Sequence, residues 1–445
     1  MRLKRPLIVL ICVLLLLGLA FAAVAWQPVI AATEPPEKAA FDKALIANGA
    51  QLALIGNCNT CHTNPGSPPY AGGRPLPTPF GTIHSTNVTP DPDTGIGRWS
   101  EAAFLRAMHE GVSRDGRHLY PAFPFDHFTK LSTVDVRAIY AFLMTREPVH
   151  AQSPSNDLSF PFNVRPLIAV WKLLFFKPGQ FQPDTAKDPE WNRGAYLVEG
   201  LAHCGACHTP RNALGAEKHN EFLAGGESEG WHAPALNAAS PAPVAWTAEQ
   251  LFTYLRHGFV KPHGVAAGPM QPTPDNLLDV AEQDVKAIAA YVGSILGPAT
   301  AGRPERPDEL ITRRQNEHAA PVWEPSSTTG SGGSRPASDA SEIYAGACAQ
   351  CHEPSGRSFS ARGIHLAQSK TVAMPDPRNL IHIILEGIEP PAGAPAALMP
   401  GFGAAFTDEQ LAALITFVRA NFSDQPAWNG VQDQVRKVRH DKNGS

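Results

Sequence analysis

Cysteine is scarce in this chain, and its placement leaves none over for a disulfide framework. Six of the seven cysteines fall in three copies of one five-residue pattern, and the seventh, Cys12, lies in an apolar N-terminal run. A small secreted scaffold held by cross-links is therefore excluded. Charge is also thin, at 18% Asp, Glu, Lys and Arg with a formal net charge of -4. A nucleic-acid partner would demand a clustered basic surface, so none is expected. What is plentiful is hydrophobic residues (43%), proline (43) and glycine (37), a composition of packed cores joined by many turns. At 445 residues the chain has room for about three domains.

The N-terminus reads Arg2, Lys4, Arg5 and then an apolar run from Leu7 to Trp26. At about 1.5 Å per helical residue that run crosses a bilayer, and the preceding basic residues favour a cytoplasmic N-terminus with everything beyond Trp26 on the far side. Two readings stand: a retained anchor, and a signal peptide cleaved near Ala23-Val24-Ala25. Both export the chain. Cys12 lies too deep in the run for lipid attachment.

The five-residue patterns are Cys58-Asn59-Thr60-Cys61-His62, Cys204-Gly205-Ala206-Cys207-His208 and Cys348-Ala349-Gln350-Cys351-His352, spaced 146 and then 144 residues apart. Each follows a helical stretch (Phe41–Leu54, Trp191–Leu201, Ala340–Ala347). Each precedes a second helix ending at glycine (Trp99–Gly111, Trp246–Gly258, Pro375–Gly387), then a third (Val134–Thr145, Glu282–Ile295, Thr407–Asn421). Thr247 with Gln250, and Thr407 with Gln410, have the spacing of capping boxes.

A covalent haem c needs two thiols for its vinyl groups and one imidazole for its iron, which C-x-x-C-H supplies on one helical turn. Zinc would need a fourth ligand, and a thioredoxin-like pair needs no histidine. The expectation is three haems, attached at Cys58 and Cys61, Cys204 and Cys207, and Cys348 and Cys351, with His62, His208 and His352 on the irons. Counting twelve residues past Gly258 and Gly387 reaches Met270 and Met399, both in loops beside proline and both expected as distal ligands. The same count past Gly111 reaches Phe123, which cannot bind iron. For the first haem Met108, His118, His127 and an open iron all stand as alternatives. Met108 shares an i, i+4 stripe with Phe104, which favours core packing for it.

The expected fold is all-α: three tandem cytochrome c-like domains after an N-terminal hydrophobic helix. Its parts are 1–26 (anchor or signal), 38–150 (first domain), 151–187 (linker), 188–298 (second domain), 299–339 (flexible linker), 340–422 (third domain) and 423–445 (tail). The first linker carries Leu167–Phe176, apolar but too short to span a membrane. It reads either as a segment lying on the membrane or a partner, or as a helix packed between two haem domains. The Ser- and Gly-rich 299–339 reads as a tether, and the tail, with Trp428, Arg436, Lys437 and Arg439, as solvated by default.

Three segments carry a resemblance: Ser85-Thr86-Asn87-Val88-Thr89-Pro90-Asp91-Pro92-Asp93-Thr94-Gly95-Ile96-Gly97, Leu119-Tyr120-Pro121-Ala122-Phe123-Pro124, and Arg193–Val198 running into His203-Cys204 and Cys207–Asn212. With them, residues 40 to 422 resemble the three-haem cytochrome c subunits of bacterial membrane-bound dehydrogenases. The resemblance implies electron transfer without a catalytic site of the chain's own. Electrons would come from a catalytic partner that holds pyrroloquinoline quinone, flavin or a molybdenum cofactor, and go to membrane quinone or an oxidase. It also implies residence on the periplasmic side of the inner membrane. Many members carry methionine where this chain has Phe123. The stretch His263–Met270 and the basic tail look more like relatives that accompany molybdenum-containing aldehyde or N-heterocycle oxidoreductases. Two other classes are weighed: a self-sufficient, peroxidase-like haem enzyme with an open first haem, and a soluble shuttle, for which the two apolar segments are unexpected.

Overall fold

The computed structural model describes residues 4–299, 303–304, 306–317, 340–352, 364–389 and 399–443. They fall into two compact units. One comprises Met1–Ala206, Arg211–Glu217 and Asp279–Asp284; the other comprises Cys207–Pro210, Lys218–Leu278 and Val285–Ser445.

The first unit begins with α1 (Lys4–Ala25), whose stretch Leu7–Ala25 has no buried residue and is long and apolar enough to cross a membrane. Helix α2 (Lys43–Ile55) starts where the Asp42 carboxylate accepts from the amides of Ala44 and Leu45, at 2.8 and 3.1 Å. The first motif forms α3 (Cys58–His62). Strands β1 (Pro75–Thr78) and β2 (Gly81–His84) pair antiparallel with Leu76 opposite Ile83. Then come α4 (Glu101–Glu110), the single turn α5 (Phe125–Phe128) and α6 (Thr133–Met144). Helices α2 and α6 cross at Gly49, where a Cβ would stand 1.9 Å from the Ala138 carbonyl oxygen, so only glycine fits. Strand β3 (Asp157–Leu158) joins β2, setting Gly81 opposite Leu158.

Helix α7 (Ile168–Phe175) is the apolar segment of the first linker. It packs against α1 within this unit and buries only Ala169, leaving Leu173 and Leu174 at 68% and 64% exposure. Helix α8 (Pro189–Tyr196) runs through a wider π-helical turn, Leu197–Leu201, toward the second motif.

The second motif ends in α9 (Gly205–His208), followed in the second unit by the hairpin β4 (Gly226–Ser228) and β5 (Trp231–Ala233). Helix α10 (Ala248–His257) opens with the expected capping box: Thr247 Oγ1 accepts from the Gln250 amide, and Gln250 Oε1 accepts from the Thr247 amide, both at 3.1 Å. A short hairpin, β6 (Phe259–Val260) and β7 (Gly264–Val265), leads to α11 (Pro272–Leu277) and α12 (Glu282–Leu296). Next come α13 (Pro307–Glu317), α14 (Ala340–Ala347), α15 (Ala349–His352), α16 (Lys370–Ala373), α17 (Arg378–Glu386), α18 (Asp408–Phe422) and α19 (Val431–Asn443). Helix α18 also opens with its capping box, Thr407 and Gln410.

Helices carry most of the fold, with short antiparallel strands added where none was expected. Two expectations change. The linker 299–339 contains α13, with Leu310 buried, and most of the rest lies outside the described residues. The tail is not simply solvated: α19 buries Val431, Val435 and Val438 in the core of the third repeat, and Arg439 donates to Asp408 at 2.8 Å. A valine every three or four residues is an amphipathic helix pattern that the basic residues of the tail obscure.

Candidate functional site

Each motif histidine is aimed in the same way. His62 Nδ1 bonds the Thr86 carbonyl at 2.7 Å, His208 Nδ1 the Pro234 carbonyl at 2.7 Å, and His352 Nδ1 the Ile364 carbonyl at 2.9 Å. A backbone carbonyl on Nδ1 fixes the tautomer with its proton there, leaving the Nε2 lone pair for a metal. Burial lowers the pKa of all three, His208 to about 4, so each is a neutral imidazole and a competent ligand.

The loop Ser85–Gly97 shows what positions Thr86. Its buried Asn87 donates to the Val149 carbonyl at 2.7 Å and to Thr94 Oγ1 at 3.0 Å, and Asp91 accepts from the Thr94 amide and hydroxyl at 2.7 and 2.8 Å. The polar motif is thus a rigid turn that presents one carbonyl to His62.

Among the described residues no two cysteines are joined in a disulfide. Burial, then the neighbouring Cys61, pushes Cys58 up to about 12, and burial with Cys351 pushes Cys348 to about 11. Burial thus favours the neutral thiol at both positions. Among the described residues no motif belongs to a cluster of three or more metal-ligating side chains. Two thiols beside an oriented imidazole fit the donor set of covalent haem c. In the first two repeats the first cysteine follows a left-handed residue, Asn57 (φ 50°) and His203 (φ 38°), which breaks the chain from the preceding helix.

The distal loops repeat in detail. After Gly111 (φ 60°) the Leu119 amide bonds the Gly111 carbonyl, and after Gly258 (φ 70°) the Ala266 amide bonds the Gly258 carbonyl, both at 2.8 Å. Val112 pairs His118 as Phe259 pairs Val265. Phe123 N bonds Tyr120 O at 3.0 Å, and Met270 N bonds Ala267 O at 3.4 Å. Phe123 and Met270 therefore occupy one structural position, which the glycine count anticipates. Met270 packs with Trp246 on Tyr254, Val260 and Ala266. Met399 bridges to Ile388 and packs on the core of the third repeat.

The alternatives at the first site have other occupations. His118 accepts from Lys172 Nζ on Nδ1 and donates from Nε2 to the Ala25 carbonyl, both at 3.1 Å. Lys172 also caps the C-terminus of α4, donating to the carbonyls of Glu110 and Gly111 at 2.6 and 2.7 Å. Burial brings its pKa down to about 8. His127 donates from Nδ1 to the Glu199 carbonyl and from Nε2 to Glu217 Oε1, both at 2.8 Å. Burial alone would lower its pKa, but Glu217 and then Asp126 reverse the sign and raise it. Neither histidine has a free ring nitrogen. Met108 is buried on the inner face of α4 with Ala103, Phe104 and Ala107. The pairing of His127 with Glu217, 90 residues away, had no signal in the sequence.

A family model described as cytochrome C oxidase, cbb3-type, subunit III, matches residues 335–418. The fructose dehydrogenase cytochrome subunit of Gluconobacter japonicus is 34% identical over 455 residues, 99% of this chain and 90% of that protein. The gluconate 2-dehydrogenase cytochrome c subunit of Pantoea cypripedii is 35% identical over 416 residues, 90% of each chain. This chain belongs to the cytochrome c subunits of membrane-bound dehydrogenases. In such complexes the cytochrome subunit is the electron-transfer part, and its prosthetic group is covalent haem c. This cytochrome subunit is also similar to a nicotinate dehydrogenase subunit of Pseudomonas putida, 43% identical over 426 residues. That match covers 95% of this chain but only 34% of that protein, so the chain spans about a third of the relative's length.

Proposed function

We propose that this cytochrome subunit carries three covalent haems c, one in each of three tandem cytochrome c domains. It would receive electrons from a separate catalytic dehydrogenase subunit and deliver them to membrane quinone or an oxidase, on the periplasmic side of the inner membrane. The observation that carries this reading is the threefold recurrence of one geometry, a C-x-x-C-H histidine whose Nδ1 is held by a backbone carbonyl. Haem supplies the one-electron chemistry. The chain's residues orient three imidazoles, offer thioethers from Met270 and Met399, and keep Cys58 and Cys348 protonated before attachment. His/Met ligation raises a haem's potential and closes its iron to other ligands, which suits a carrier.

Helices α1 and α7 support the membrane side of the reading. The first has an apolar stretch with no residue buried, and the second packs on it with Leu173 and Leu174 outward. The catalytic partner would hold pyrroloquinoline quinone, flavin or a molybdenum cofactor, and the likeness to a nicotinate dehydrogenase subunit favours an N-heterocycle as its substrate. A peroxidase-like reading gains nothing from His127 and Glu217, because both ring nitrogens of that histidine are engaged. The test is the haem-to-protein ratio by pyridine haemochrome, expected to be three. A ratio of two or one removes the three-haem reading, and peroxide turnover by the isolated chain removes the carrier reading.

A further inference from the structure

The third repeat reaches into the second. Asn379 of α17 accepts from the His232 amide and donates to its carbonyl, both at 2.8 Å, and His382 stacks on Trp231 at 4.7 Å between centroids. Arg378 pairs with Glu227 at 3.1 Å. Helix α17 is thereby fastened to the β4–β5 hairpin, and Trp231 in turn lies against Gly268, two residues before Met270.

This attachment carries Lys370, the first residue of α16, to an unusual place. Its Nζ lies 4.7 Å from the Tyr254 ring centroid and 5.7 Å from that of Trp246, and it donates to the Tyr254 hydroxyl at 3.2 Å. Those two rings are the ones that pack with Met270. His263 stacks on Trp246 at 3.4 Å between ring centroids, so the indole is fixed. The ammonium is also close enough to His208 to act on its imidazole. Lys370 therefore stands over the rings that pack with Met270 and within electrostatic reach of His208. Among the described residues no carboxylate pairs with it, although a half-buried ammonium over aromatic faces gains most from an anion.

We propose that Lys370, supplied by the third repeat, is the cation that takes a propionate carboxylate of the second haem and holds that haem's potential up. A positive charge beside a haem favours the added electron of the reduced state, and a neutralised propionate opposes it less. The inference rests on the second motif being a haem site, so it also gives the third repeat a part in setting the driving force of the second.

The experiment is spectroelectrochemical titration of the full chain carrying Lys370→Gln, Lys370→Arg or Lys370→Glu, with haem counted in each preparation. Lys370→Gln is expected to lower one midpoint potential and leave the others in place. Lys370→Glu should lower the same one further, and Lys370→Arg should restore it. Met270→His identifies that wave as the second haem's, because it moves the same potential. Unchanged potentials in both the Gln and Glu variants at full haem content overturn the proposal. So does an Arg variant as low as Gln, which would make side-chain shape, not charge, the cause. A wild-type protein without haem at Cys204 and Cys207 instead overturns the haem reading beneath it, and the two failures are told apart by the haem count.

Discussion

The loops after Gly111 and Gly258 share one backbone and differ in the side chain at its most chemical point. Both start from a left-handed glycine, both return an amide to that glycine's carbonyl eight residues later, and both make the same tight turn four residues further on. One places Phe123 there, and the other Met270. The hydrogen bonds that build the loop are therefore independent of the ligand it presents. In both a helix begins two residues beyond that point, α5 and α11, and in the first it is tied down by the buried His127–Glu217 pair. A frame maintained without its ligand is expected where the iron is meant to be different.

The largest effect comes from exchanging the two side chains. In the wild-type protein about one haem per chain is expected to bind carbon monoxide. Met270→Phe should raise that to about two and lower the second haem's potential, while Phe123→Met should abolish binding and raise the first haem's potential. Carbon monoxide difference spectra with redox titrations measure both. A wild-type chain that binds none would end the asymmetry between the loops.

Next is the lock on the first loop. Glu217→Ala removes the buried carboxylate that accepts from His127 and pairs with Arg211, which is expected to cost about 3–5 kcal/mol. Denaturant unfolding of the full chain measures it, and a cost below about 1 kcal/mol would show that the pair does not hold the loop. The pH dependence separates the two histidines involved. His127 has a raised pKa, so its contribution is complete below its ordinary 6.5 and is lost as pH climbs through the raised value. His203, whose ring centre lies 6.4 Å away, is pushed down to about 4 by burial and then by His127. Its contribution is present above 6.5 and is lost as pH falls toward 4, up to about 3 kcal/mol. His203→Gln should flatten the acid limb of a stability profile and Glu217→Ala the alkaline limb.

The sequence made the contrast between the loops legible because it depends on a count along the chain. The C-x-x-C-H motifs, the glycine stops and the twelve-residue step to Met270 are all local, and helices such as Ala340–Ala347 stand where the pattern put them. The partners were not legible. Glu217 meets His127, Lys172 meets the end of α4, and Lys370 meets Tyr254 across 90, 61 and 116 residues, and no periodicity links such pairs. The tail shows a second kind of failure: valines at helical spacing were outweighed by the charges between them, although α19 keeps those charges on its outer face.

The smallest effect distinguishes the helices that lead into the two loops. Helix α4 is capped by Ser100 alone, whose hydroxyl accepts from the Ala103 amide at 3.3 Å, because alanine at the third helical position cannot reach back. Helix α10 has Gln250 there, and its Oε1 accepts both from the Thr247 amide and from His263 Nε2, each at 3.1 Å. Ser100→Ala should cost about 1 kcal/mol. Gln250→Ala should cost about 1–2 kcal/mol, because two donors lose their acceptor at once. It should also loosen the stack of His263 on Trp246 that borders Met270, so the variant is expected to disturb the second haem's spectrum while Ser100→Ala leaves the first haem's unchanged. Equal stability losses with neither spectrum altered would mean that the capping box only starts a helix and does not help to position the distal ligand.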